Sequence, residues 1–217
     1  IKNSLSEEIP LIGFCGSPWT LAAYSIEGRS SKDFEKTLGF LESNQKDVHD
    51  LLIKYTDACF LYLRKQVQSG ADVIQIFDSW ANLLTKEDLI EFSFNYINSL
   101  ISALKLDPIT KNIPVIIFAR NPKCNIEELI NTSADCISLF WSMNDLNFEV
   151  AKNKVAIQGN LDPKILLESD ETIKRETYKI LERFKEYPGY IFNLGHGITP
   201  DISPDKIKYL TNIVREY

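Results

Sequence analysis

Short apolar runs alternate with helical patterns along this chain, and no other feature limits its possible folds as strongly. The runs are continuous rather than alternating in apolar character, which is typical of parallel strands covered on both faces. Six of them predict strands, at residues 9–15, 73–77, 115–119, 137–141, 155–158 and 190–194.

Helical patterns with clear starting points lie between these runs. One apolar stripe comprises Leu52, Tyr55, Cys59, Tyr62, Gln66 and Val67, and a second comprises Leu89, Phe92, Tyr96, Leu100, Ile101 and Leu104. Ser17, Asp162 and Ser203 each precede a proline, which predicts an N-cap followed by the first helical residue. Asn125 with Glu128 predicts a similar start. Strand, loop and capped helix in repeated order indicate βαβ units and an α/β fold.

The alternation is compatible with a doubly wound open sheet and with a (β/α)8 TIM barrel. The sequence has neither GxGxxG after a strand nor GxxxxGK[ST], so nucleotide-binding open sheets lose their main support. Six strand-helix units fall two short of a closed barrel, so a barrel would lack its N-terminal strands. The chain also begins at Ile1 rather than Met, as a cut polypeptide would. Without a Pro-, Gly- or Ser-rich linker, residues 1–217 are predicted to form a single domain.

Composition narrows the class of partner. The net charge of −6 and the absence of a dominant Lys/Arg cluster argue against nucleic acid and favour a small-molecule substrate. No apolar run approaches the roughly 18 to 20 residues of a membrane span, and no signal peptide is visible. We therefore expect a soluble, cytoplasmic protein. The four cysteines lack metal-site spacing and are expected to be reduced packing residues.

Polar residues directly after the apolar runs are the candidate site, because active sites of (β/α)8 barrels form at the carboxyl ends of the strands. His196 stands between two glycines after the last run, and Ser79 follows the second run. Tyr24 lies two helical turns after Ser17 and could direct its hydroxyl over the same rim. Each also has an ordinary interpretation, as a loop, turn or packing residue. His49 is expected on the surface.

Asp162 is expected to act as a helix cap. No H-x-C, C-x-x-C or HExxH pattern indicates a metal, and nothing in the sequence requires a cofactor.

Five segments, in order, resemble the uroporphyrinogen decarboxylase family. They are PLIGFCGSPWTLAAYSIEG (10–28), GADVIQIFDSWA (70–81), PVIIFAR (114–120), QGNLDP (158–163) and NLGHGITPDISPD (193–205). The resemblance covers essentially the whole chain. It implies a (β/α)8 barrel that forms a homodimer and, without a cofactor, removes the four acetate carboxyls of uroporphyrinogen III to give coproporphyrinogen III in haem synthesis.

The resemblance also implies roles for particular residues. Tyr24, Ser79 and His196 match the family's substrate-contacting tyrosine, serine and histidine. The family's charge-stabilising aspartate and its R-Q-A-G-R motif have no match here, so we expect them before Ile1 and expect residues 1–217 alone to be inactive. No catalytic residue is therefore assigned within this chain. Only Arg29 and Arg120 are expected to carry positive charge near the rim.

Two positions depart from the family pattern. Asn82 stands where glycine is common, and Phe140 stands where aspartate is usual. Two other functions stay open. One is a corrinoid-linked methyltransferase of the same superfamily, whose zinc site would need an H-x-C and a late cysteine where this chain has His196. The other is a non-catalytic relative that binds a tetrapyrrole or a protein. Phe140 is the residue that most favours this interpretation.

Overall fold

A computed structural model of the chain describes residues 2–6, 8–29, 31, 33–144 and 147–217. Ile1, before which the missing strands are expected, lies outside the described residues. The backbone divides into two compact units, Ile1–Ile137 and Ser138–Tyr217. The expectation of a single domain over the whole chain stays a prediction.

Parallel strands form the centre of the first unit. β1 (Ile12–Gly16) pairs with β2 (Val73–Asp78), and β2 pairs with β3 (Val115–Ala119). The register runs to Gly16 opposite Phe77 and to Asp78 opposite Ala119, so all three strands end at the same edge. Residues that follow these strands are therefore neighbours in space.

A second parallel pair lies in the other unit. β4 (Cys136–Ser138) spans the boundary, and β5 (Ala156–Gln158) pairs with β6 (Tyr190–Ile191). An isolated parallel bridge between Leu161 and Leu194 continues this pairing beyond the regular strands. Parallel strands separated by helices confirm the predicted α/β fold.

The predicted strands are correct in place and mostly too long. β3 has the predicted bounds, whereas β1 begins at Ile12, after Pro10, which has no N–H for a sheet ladder. The predictions that the fourth strand reaches Trp141 and the sixth reaches Leu194 were wrong. Trp141 instead lies in a turn and is 37% exposed.

Eight α-helices occur among the described residues, and none is long and apolar enough to cross a membrane. They are α1 (Pro18–Glu27), α2 (Glu35–Ser43), α3 (Gln45–Gln68), α4 (Lys86–Asp88), α5 (Asn95–Leu106), α6 (Ile126–Ile130), α7 (Asp170–Phe184) and α8 (Pro204–Glu216). A π-helical turn, Leu89–Phe94, joins α4 to α5. Single 3₁₀ turns occupy Lys2–Ser4, Ala81–Leu83, Phe148–Val150 and Pro163–Leu167.

The predicted helix starts agree with the structure. The Ser17 hydroxyl accepts the N–H of Thr20 at the start of α1, and Asn125 donates its N–H to Glu128 at the start of α6. Asp162 caps a 3₁₀ turn by accepting the N–H of Lys164 at 3.0 Å, which confirms its structural role. Helix α8 begins at Pro204 as predicted, but the Ser203 side chain makes no capping hydrogen bond.

The buried face of α3 agrees only in part with the predicted stripe, in which Tyr55, Gln66 and Val67 are half-buried. Leu52 and Cys59 are buried as predicted, but Tyr62 is 59% exposed and Leu63 takes its place in the core. Tyr62 lines an apolar depression of about 400 Å³ beside β1, where Phe14 is also exposed. On the second stripe all members but the half-buried Tyr96 are buried, as predicted.

The outer edge of β1 is covered by a side chain of α3. Phe14 donates its N–H to the Gln66 amide oxygen at 2.8 Å, and the Gln66 amide nitrogen donates back to the Phe14 carbonyl at 2.9 Å. The Cys59 thiol lies 3.5 Å from the Gly16 carbonyl. The Gln66 amide therefore satisfies both backbone polar groups of Phe14.

His49 packs between helices rather than lying freely on the surface. Its Nδ1 is 2.6 Å from the Tyr96 hydroxyl, and its ring stacks on Phe92 with centroids 4.7 Å apart. The expectation of a surface histidine was therefore only partly correct, because the side chain is half-buried and joins α3 to the π-helical turn.

Candidate functional site

The three strands of the first unit end at a common edge, and each is followed there by a polar residue. These residues are Ser17 after β1, Ser79 after β2 and Arg120 after β3. Within this unit the structure thus brings together the ends that the sequence analysis selected. His196 lies in the second unit. The expectation that it faces the same cavity as Tyr24 and Ser79 joins the two units and stays a prediction.

Asp78, the last residue of β2, is the buried centre of this edge. Its side chain is fully buried, and its Oδ1 accepts hydrogen bonds from the hydroxyls of Ser17 at 3.0 Å and Thr20 at 3.1 Å. Its Oδ2 accepts a hydrogen bond from the Ser93 hydroxyl. Burial raises the pKa of Asp78, and the hydroxyls of Ser93, Ser17 and Thr20 and the Trp80 N–H oppose that rise.

These bonds connect Asp78 to both predicted site residues of the unit. Thr20 Oγ1, which donates to Asp78, accepts the backbone N–H of Ser79 at 2.9 Å. Ser17, which also donates to Asp78, is the N-cap of α1, the helix that carries Tyr24. Asp78 therefore fixes the backbone of Ser79 and the start of α1 in one network.

Asp78 was not among the site residues predicted from the sequence. The available signal was an acidic residue that ends an apolar strand with no basic residue beside it. Its hydroxyl partners are 58 and 61 residues away in α1 and its cap, and 15 residues away in the π-helical turn, so the sequence pattern could not identify them.

Trp80 forms an aromatic platform beside Ser79. The Tyr24 ring packs against it in a T-shaped contact with centroids 5.8 Å apart, and the Phe34 centroid lies 4.3 Å from it. The Arg120 guanidinium carbon lies 5.5 Å from the Trp80 ring centroid. The hydroxyls of Tyr24 and Ser79 make no hydrogen bond within the part of the chain that the structure describes. Both are available to a ligand, and Tyr24 is 39% exposed.

In the second unit, His196 is exposed on a loop that passes very close to another backbone segment. Its ring meets the buried Phe140 edge-on, with centroids 6.0 Å apart, and its Nδ1 lies 3.3 Å from the Gly197 carbonyl. Phe140 thus gives His196 an apolar neighbour.

Asn160 holds the backbone that carries Phe140. Its side chain is 2% exposed and donates to the Phe140 carbonyl at 3.2 Å and to Asn144 Oδ1 at 3.3 Å. Asn144 in turn accepts a hydrogen bond from Arg183 at 2.9 Å. Asn160 belongs to the segment QGNLDP (158–163), but the sequence did not reveal this role, since its partners come from a loop 16 to 20 residues away.

Gly195 is required by this close approach. A Cβ at position 195 would lie 2.4 Å from the backbone nitrogen of Trp141 and 2.5 Å from its Cα. We expect Gly195→Ala to destabilise the protein by about 1 to 3 kcal/mol and to displace His196, because backbone atoms must move. Urea unfolding checks this, with Gly197→Ala as the matched control, since a Cβ there meets no atom within 4 Å. Equal stability of both variants would contradict the close approach.

The described cysteines are all free thiols, as expected, and three are buried, whereas Cys124 is partly exposed. Among the described residues, His, Cys, Asp and Glu side chains form no group of three that could hold a metal ion.

Comparison with known proteins shows which family this chain resembles in sequence. The family model described as uroporphyrinogen decarboxylase matches residues 1–217. Curated proteins of that name are 42% identical to this chain in Ruthia magnifica and in Vesicomyosocius okutanii, and 40% identical in Alcanivorax borkumensis. Each match includes all of this chain but only 63%, 62% and 62% of the respective relative, so the chain spans less than two thirds of their length.

Solved structures agree on the fold. A methyltransferase from Methanosarcina mazei superposes with a TM-score of 0.78 at 20% identity, over 99% of this chain and 61% of that one. A B12-independent methionine synthase from Shewanella superposes with a TM-score of 0.63 at 16% identity, over 96% of this chain and 63% of that one. At these identities the likeness concerns the fold alone. The family is shown by sequence instead, because the family model matches residues 1–217 and the curated relatives match the whole chain. This chain belongs to the uroporphyrinogen decarboxylase family.

Proposed function

We propose that this protein decarboxylates the four acetate side chains of uroporphyrinogen III to give coproporphyrinogen III in haem synthesis. One observation carries the proposal beyond family membership. Tyr24 and Ser79, which match the family's substrate-contacting residues, lie at the strand-end edge of one unit with their hydroxyls free of protein partners among the described residues. Free hydroxyls beside an aromatic platform suit a flat ligand that carries carboxylates.

The proposed chemistry uses the substrate itself as the electron sink. Protonation of a pyrrole ring carbon gives a cationic ring, and the bond between the acetate methylene and its carboxylate then breaks. Carbon dioxide leaves while the bonding electron pair enters the ring. Protonation of the methylene carbon and loss of the ring proton leave a methyl group, so each acetate consumes one proton and releases one carbon dioxide.

Tyr24, Ser79 and His196 would take part by binding carboxylates, not by transferring these protons. Hydrogen bonds to a carboxylate hold one acetate at the reaction centre and fix the orientation of the macrocycle. The family's charge-stabilising aspartate would complete the centre from a segment outside residues 1–217. On this view residues 1–217 contribute substrate binding and are inactive alone.

We further propose that these residues are the C-terminal two thirds of a longer (β/α)8 barrel that acts as a cytoplasmic homodimer. The greater length of the relatives supports the longer barrel. The exposure of Ile12 and Phe14 on β1, at 44% and 61%, also supports it, because apolar strand residues are normally covered.

An assay of the full-length protein tests the function directly. Coproporphyrinogen formed from uroporphyrinogen, with release of four carbon dioxide molecules per macrocycle, is the expected result. Tetrapyrrole binding without product would instead identify a non-catalytic member of the family.

Tyr24→Phe is expected to lower kcat/KM of the full-length protein about 10-fold or more, because a hydrogen bond to a charged group is worth about 1.5 to 3 kcal/mol. Stability should stay within about 0.5 kcal/mol of wild type, since the Tyr24 hydroxyl makes no hydrogen bond within the described part of the protein. Tyr62→Phe, on the exposed side of α3, is the control and should retain full turnover. Unchanged kinetics for Tyr24→Phe would remove this residue from the proposed site.

A further inference from the structure

Arg120 is held in a defined position beside the residues of the proposed site. It follows β3 directly, and its backbone N–H donates to the carbonyl of Asp78 at 3.0 Å. Its guanidinium carbon lies over the Trp80 ring, 5.5 Å from the centroid, and the residue is half-buried. Asp78 at the end of β2 therefore positions the backbone of Arg120, and Trp80 positions its side chain.

The Arg120 guanidinium contacts the Trp80 ring but has no anionic partner among the described residues. Within the described ranges its guanidinium makes no hydrogen bond or ion pair, whereas Arg64 on α3 donates to Asp107 at 3.0 Å. A contact with an aromatic ring does not use up the N–H groups of a guanidinium, which can still donate to another partner. Arg120 is thus a preorganised cation without a counter-ion among the described residues.

Three residues with unused hydrogen-bond donors are neighbours of Trp80. The Tyr24 ring packs against its ring in a T-shaped contact, Ser79 precedes it in the chain, and Arg120 lies over its ring. Two hydroxyls and a guanidinium next to an aromatic surface form a receptor for an anion attached to a flat apolar body. A carboxylate fits best, because its two oxygens match the paired N–H groups of a guanidinium.

We infer that Arg120 binds a carboxylate of the tetrapyrrole substrate and that Trp80 holds its guanidinium in place for this contact. The inference rests on the proposed function and adds to it a charged specificity residue within residues 1–217. An octacarboxylate substrate requires positive charge on the protein to offset its own. Arg120 supplies such charge at the strand ends.

The test compares three variants of the full-length protein. Arg120→Gln removes the charge, Arg120→Lys keeps the charge but loses the paired donors, and Lys123→Gln removes a charge from the same loop at an exposed residue. The readouts are kcat and KM for uroporphyrinogen between low and high salt, together with quenching of tryptophan fluorescence by uroporphyrin. Circular dichroism checks that each variant is folded.

We expect Arg120→Gln to raise KM and weaken uroporphyrin binding about 10-fold or more, with a smaller change in kcat and a weaker salt dependence. Arg120→Lys should fall between it and wild type. Lys123→Gln should change KM less than about 2-fold. If Arg120→Gln does not fold, a raised KM for Arg120→Lys supports the inference and an unchanged KM overturns it.

Two results would overturn the role of Arg120 while leaving the proposed function intact. One is a KM for Arg120→Gln equal to that of an active wild-type protein, and the other is an equal rise of KM in Lys123→Gln. A wild-type protein that forms no coproporphyrinogen would instead overturn the proposed function. In that case the uroporphyrin quenching comparison alone decides whether Arg120 binds the carboxylates.

Discussion

Replacement of Asp78 by alanine is expected to lower the free energy of unfolding by about 3 kcal/mol or more. Three buried hydroxyls, of Ser17, Thr20 and Ser93, would lose their common acceptor, and an unsatisfied buried donor costs about 1 kcal/mol or more. The change would also release the cap of α1 and the backbone of Ser79. We therefore expect kcat/KM of the full-length protein to fall together with stability.

Asp57→Ala is the matched control for Asp78→Ala. Asp57 lies on α3, is exposed, and makes no ion pair in the described part of the chain. Its replacement should change stability by no more than about 0.5 kcal/mol. Urea unfolding followed by tryptophan fluorescence measures both variants. If the two variants lose equally little stability, the buried network contributes nothing and its proposed positioning role fails.

The pH dependence of the same site gives a second readout. Burial raises the pKa of Asp78. The native protein therefore keeps this carboxyl protonated at pH values above about 3.9, the pKa of aspartate in the unfolded chain. Stability from this group is then present below that value and is lost as the pH rises through the native pKa. Relative to Asp78→Asn, which cannot ionise, wild type should lose stability as the pH rises from the unfolded pKa of Asp78 to its native pKa. A difference that is constant with pH would contradict the raised pKa.

The two histidines of the chain should separate stability from activity. His196→Ala is expected to lower kcat/KM by about 10-fold to 150-fold, the value of one hydrogen bond to a charged ligand group, while leaving stability nearly unchanged. The reason is that His196 is exposed, so that truncation of its side chain uncovers little buried surface.

His49→Ala should have the opposite effect. The variant loses the hydrogen bond to Tyr96 and the stacking on Phe92, which together stabilise the protein by about 1 to 3 kcal/mol. Its kcat/KM should equal that of wild type. Steady-state kinetics and urea unfolding of both variants provide the comparison. Complete loss of turnover in a folded His196→Ala protein would assign proton chemistry to His196 in place of substrate binding.

Local sequence signals were sufficient for the elements and their order. The apolar run 115–119 is β3 with the predicted bounds, and Ser17 before Pro18 starts α1 as predicted. Both depend on neighbours within a few residues, namely continuous apolar character and a side chain that reaches the next helical turn. The family motifs likewise identified Tyr24, Ser79 and His196 as candidates, because they are read from contiguous residues.

Tertiary structure alone decided how these elements use their side chains. Tyr62 and Leu63 are adjacent apolar residues on α3, and only the packing around β1 determines which of them is buried. Asp78 became the centre of the site through hydroxyls that lie up to 61 residues away, and Gly195 is required because the backbone of Trp141 passes beside it. The sequence by itself therefore determined the alternation of strands and capped helices, which is local. The contacts that position the site depend on distant segments meeting, and no short pattern encodes them.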